Sequence, residues 1–102
     1  MDKNQVYQDV VRTINQTVGR KAVTVEQIKS LVNQAKMIRR TRGVTGLMSF
    51  ASQLPYRMFT QQEIERLQRS PRWYELSGKM IDLMVYEGVI TPMEARMLKQ
   101  RL

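Results

Sequence analysis

Residues 24–46 read TVEQIKSLVNQAKMIRRTRGVTG, and the fold class turns on whether this stretch is helical. Ile28, Leu31, Val32, Ala35 and Ile38 recur every three or four residues, the spacing that lines up one side of a helix and not one face of a strand. Thr24 followed three residues later by Gln27 makes a capping box, in which each side chain satisfies a backbone amide of the first turn. Gly43, free to adopt left-handed dihedrals, is the natural terminator. A helix is therefore predicted over Val25–Thr41, followed by a glycine loop, Gly43-Val-Thr-Gly46.

The same signals extend in both directions. Upstream, Val6, Val10, Val11, Ile14 and Val18 predict a helix from about Asp2 to Val18, closed by Gly19. Its valines lose side-chain freedom in a helix, so burial must hold it. Downstream, Leu47, Phe50, Ala51 and Leu54 share one face of a short helix that Pro55 is expected to stop. Further starts are marked by Thr60 with Glu63, by Ser70-Pro71, and by Thr91 with Glu94 and Pro92. They predict helices over 61–69, 71–87 and 92–101, with Gly88 closing the middle one. No segment alternates with period two for long enough to make a strand. The expected architecture is all-α, a compact bundle of five to six helices, one domain over 1–102 with 70–102 as a C-terminal helical hairpin. In that hairpin Trp73, Met80 and Met84 open an inward face, and Met93 and Met97 are predicted to meet them across the Gly88 turn.

Residues 78–102, GKMIDLMVYEGVITPMEARMLKQRL, carry apolar positions before a Gly88-Val-Ile-Thr91 turn, then an acid and a basic helix ending in leucine. This quarter of the chain resembles the short C-terminal domain known as SHOCT. The resemblance implies a helical hairpin often linked to oligomerisation. Pro92-Met93 and Ala95 stand where that family has acids and an aromatic.

Composition narrows the chemistry. The 102 residues include neither cysteine nor histidine, which excludes zinc fingers, disulfides and Ser-His or Cys-His nucleophile pairs. Glu63 and Glu65 diverge on a short helix, Glu75 and Asp82 lie two turns apart, and no phosphate-binding or dinucleotide motif is present. The expectation is a protein that is not an enzyme and uses no cofactor and no metal. The first twenty residues alternate polar and apolar positions instead of forming a signal peptide, and charges or glutamines interrupt every apolar run. A cytoplasmic location away from membranes is expected.

The charge is strongly asymmetric. The net charge is +8, and no carboxylate occurs between Glu26 and Glu63, where Lys29, Lys36, Arg39, Arg40, Arg42 and Arg57 all lie. Lys29, Asn33, Lys36 and Arg40 fall at four-, three- and four-residue spacing, one stripe along the helix that could track phosphates. A stripe of this kind is most often a solvated face, but such faces usually mix signs for local pairing. The helix, Gly-x-x-Gly loop and following helix are similar to the arrangement in KH domains, which implies backbone amides clamping a nucleotide backbone. The KH strands have no counterpart here. The expected function is binding of nucleic acid, DNA or RNA, through Lys29, Asn33, Lys36, Arg39, Arg40, Arg42, Gly43, Gly46 and Arg57. Tyr56, next to Arg57, is the candidate for base stacking. The alternative is an assembly protein that forms a homo-oligomer or binds an acidic partner through its C-terminal hairpin.

Overall fold

The caps fix where the helices begin. In a computed structural model that describes residues 2–100, Asp2 accepts a hydrogen bond from the Gln5 amide at 2.9 Å and opens α1, Lys3–Val18. Thr24 and Thr60 form complete capping boxes with Gln27 and Glu63, opening α2, Val25–Met58, and α3, Gln61–Gln68. The Ser70 hydroxyl accepts from the Arg72 amide at the start of α4, Arg72–Tyr86. Thr91 and Glu94 exchange hydrogen bonds at the start of α5, Pro92–Gln100. The described residues form an all-α bundle of five helices with no strand. Arg101, the expected end of the last helix, lies outside the described residues.

α1 is the hub, packed against α2, α3 and α4, while α5 folds back on α4. Ile14, Ile28, Val32 and Leu83 are the largest of the fully buried side chains. Burying each such side chain contributes about 1.5–3 kcal/mol, which offsets the weak helix propensity of the valine-rich α1. Asn15 ties the return of the chain to α1. Its Oδ1 accepts from the amides of Ala22 and Val23, and its Nδ2 donates to the Val23 carbonyl at 3.1 Å. Residues 19–24 are thus held without a strand partner.

Three expectations need correction. The helix from Val25 does not give way to a loop at Gly43. Helical structure runs to Met58, interrupted at Gly43 alone, whose φ of 69° and ψ of −162° break the geometry between 25–42 and 44–58. One glycine suffices as the joint because only a residue without Cβ takes that conformation at low cost. Nor does Pro55 stop the helix. It removes one amide donor, but Ala51, whose carbonyl loses that donor, is exposed to water, and the Phe59 amide bonds back to the Pro55 carbonyl at 2.9 Å. Phe59 then enters the core. Finally, Met93 and Met97 are 71% and 55% exposed and do not face Met80 and Met84. Ala95 and Leu98 form the inner side of α5.

Candidate nucleic-acid interface

The stripe on α2 is not the open row its spacing implies. Around this helix the core positions Ile28, Val32 and Ala35 face α1, and Lys29 and Lys36 flank them closely enough to reach α1 and the α4–α5 turn. The Lys29 ammonium sits 5.7 Å from the centre of the buried Tyr7 ring, a cation–π arrangement. Lys36 Nζ donates to Glu87 Oε2 at 3.2 Å, and Lys3 reaches the same oxygen at 3.4 Å. The Glu87 side chain is only 4% exposed. Its Oε1 is buried and has no hydrogen-bond partner among the described residues. Burial, and then the neighbouring Glu87 carboxylate, push the Tyr7 phenol up to about 12.

Arg39 is likewise partnered. Its guanidinium donates to Glu94 Oε1 at 2.9 Å, and the same oxygen accepts from the Thr91 amide. Arg39, followed by that amide, holds the Glu94 carboxyl below its usual range. The premise that the middle of the chain lacks counter-charge is therefore corrected for Lys36 and Arg39. Their acids come from the far end of the sequence. Glu63 follows the same pattern: it caps α3 through the Thr60 amide and takes two hydrogen bonds from Arg20, at 2.7 and 2.9 Å. Arg20 and then the Thr60 amide lower its carboxyl to about 2. Asp9 is held low by Lys79 first and Arg12 second.

Other members of the expected set remain open. Asn33, Arg40 and Arg42 are exposed, and neither arginine has a carboxylate within 4 Å among the described residues. Arg57 is exposed too, its guanidinium 5.7 Å from the centre of the Phe50 ring. Tyr56 beside it is 67% exposed, on the last turn of α2 and not in a loop. Gly43 and Gly46 do not frame a loop of free amides. Gly46 lies inside the second segment of α2, where a Cβ would overlap that of Arg42, so its role is to let the Arg42 stem cross the helix. Arg69 and Arg72 are exposed around the α3–α4 turn, with no carboxylate within 4 Å among the described residues.

The acids that neutralise α2 were visible in the sequence only as something else: Glu94 as a capping-box residue and Glu87 as the residue before the Gly88 turn. A capping carboxylate has lone pairs to spare after taking one amide, and that is the signal that could have found Glu94. Among the described residues no helix is long and apolar enough to cross a membrane. Comparison of the chain with protein-family models, with curated proteins and with solved structures finds no match.

Proposed function

We propose that this protein binds nucleic acid through the phosphate backbone, with Arg40 and Arg42 as the principal contacts and Arg57 as a third. The observation that supports this reading is the residual imbalance along α2: Glu26 is its only carboxylate, tertiary acids account for Lys36 and Arg39, and these arginines remain solvent-facing. Guanidinium groups of this kind neutralise phosphates without reading sequence. Lys36 and Arg39 act in the fold instead, and Lys29 contributes with its charge resting over Tyr7.

Three phosphate contacts imply a log–log salt slope of roughly −3 on duplex DNA. In fluorescence anisotropy with a labelled duplex and a single-stranded RNA of matched length, the Arg40→Ala/Arg42→Ala variant should bind all sequences more weakly. Its slope should flatten by about 2. Unchanged affinity and slope in a variant that keeps its melting temperature would overturn the reading.

A second reading is favoured by Met93 and Met97, both exposed on α5: assembly through the α4–α5 hairpin, as the SHOCT resemblance implies. Adaptable thioethers suit partner surfaces. Light scattering on the purified chain separates the two, since this reading requires an oligomer that Met93→Lys/Met97→Lys dissolves.

A further inference from the structure

Residues 44–58, the second segment of α2, are a helix set between two non-helical joints. At one end Gly43 holds φ 69° and ψ −162°, a conformation open in practice to glycine alone. At the other end Phe59, with φ −128° and ψ 155°, and Thr60, with φ −71° and ψ 161°, are both extended before α3 begins. Joints of this kind, a few residues at the ends of elements, are where helices move as bodies.

The space beside the segment is loosely filled. α4 packs on α1, α3 and α5 but not closely on α2, and an open cavity of about 410 Å³ lies between the segment and α4. Leu47, Phe50 and Leu54 line it from the segment, and Trp73, Met80 and Met84 line it from α4. Leu47, Phe50 and Leu54 each stay 7% exposed, whereas Ile28, Val32 and Ala35 in the first segment of α2 are exposed by 1% or less. A wall with empty space beside it forgoes the contacts that fix a close-packed helix in one position. Gly46 sets the direction of any movement. A Cβ there would fall 2.4 Å from that of Arg42, so the bend at Gly43 already presses its two sides together. The joint has room to open and none to bend further.

We propose that residues 44–58 are a hinged arm, which rocks on Gly43 and on Phe59–Thr60 between the tightly bent position and a more open one displaced relative to α4. The first segment stays in place, seated by its buried residues and tied to Glu87 and Glu94 by Lys36 and Arg39. Arg40 and Arg42 lie on the fixed side of the joint and Arg57 on the moving side. The arm therefore sets the span between phosphate contacts, a consequence that rests on the nucleic-acid reading, whereas the movement itself does not.

The chain has no cysteine, so spin labels attach only where one is introduced, and Gln34, Gln53 and Glu75 are exposed. Gln53→Cys/Glu75→Cys spans arm and α4, and Gln34→Cys/Glu75→Cys spans the fixed segment and α4. Pulsed dipolar spectroscopy on the free, full chain should give two distance populations for the first pair and one for the second. A Cβ at Gly43 meets nothing within 4 Å, so Gly43→Ala acts through torsion alone and should shift the first pair towards its open population. Gly46→Ala, which blocks the tight bend, should shift it the same way, and neither should alter the second pair. A single population for the first pair, as narrow as that of the second, overturns the inference without any glycine variant having to fold. Two populations in both pairs, or a Gly43→Ala chain with the populations of its parent, also overturns it. No nucleic acid is present in these measurements, so their outcome is separate from that of the nucleic-acid reading, which the affinity of Arg40→Ala/Arg42→Ala decides.

Discussion

Lys36 and Glu87 form an asymmetric pair, and the asymmetry makes a quantitative prediction. The Lys36 side chain is 40% exposed and would stay hydrated without its partner, whereas that of Glu87 is 4% exposed and would not. Removing the lysine therefore costs more than the pair's net attraction. It strands a carboxylate that has one oxygen without a hydrogen bond among the described residues, with Lys3 at 3.4 Å, its own side chain 61% exposed, as the remaining cation there. A buried acceptor left short of partners costs about 1–3 kcal/mol, and each kcal/mol lowers the melting temperature of a domain this size by about 4–8 °C. Lys36→Ala should accordingly melt several degrees earlier by circular dichroism at neutral pH, whereas Arg40→Ala, which strands no carboxylate among the described residues, should melt within a degree or so of the unmodified chain. Glu87→Gln introduced into Lys36→Ala should recover part of the loss, because a neutral amide is cheaper to bury than an unpaired carboxylate. A Lys36→Ala variant as stable as its parent, or a double variant that recovers nothing, would refute the account of Glu87 as a buried charge held by α2.

The depressed carboxylates predict acid sensitivity with a defined sign. The Glu63 carboxyl falls from 4.5 free to about 2 in the fold, so its contribution to stability is fully present above about pH 4.5 and disappears as the pH falls towards 2. Glu94 and Asp9 are lowered in the same direction. A pH series of urea unfolding midpoints should drop across that window, with a smaller drop in Arg20→Met, and a flat midpoint would contradict the pairing. Gly46→Ala places a Cβ onto that of Arg42, and overpacking of this kind costs about 1–3 kcal/mol. Thermal melts should register that loss, and Gly46→Ala with Arg42→Gly should relieve it. An alanine tolerated at Gly46 alone would show that the Arg42 stem does not cross there.

Local chemistry was legible in the sequence, and distant pairing was not. The starts of α2, α3 and α5 could be read because a cap is made within four residues: Thr24 with Gln27, Thr60 with Glu63 and Thr91 with Glu94 all form as their spacing implies. Gly43 was readable as a break, but a break one residue wide leaves no mark of its own beyond it, so the continuation to Met58 was not. The candidate site failed where its charges were answered from afar. Lys36 and Glu87 are 51 residues apart, and Arg39 and Glu94 are 55. A search for nearby acids along α2 cannot see either partner. The hydrophobic period marked Met80 and Met84 as one face of a helix, yet whether that face would close on a neighbour or stand open depends on how two helices are held by a third.

The distribution of thioethers has a consequence for chemical damage. In a chain without cysteine, mild oxidants meet sulfur only at methionine, and Met37, Met93 and Met97 offer theirs directly to solvent at 66%, 71% and 55% exposure. Sulfoxides formed there add polarity to a surface already wet and leave the helices in place. The same conversion at Met80 or Met84, packed against the core, would set a polar oxygen among apolar neighbours, so peroxide should mark the outside of this molecule well before it loosens the inside.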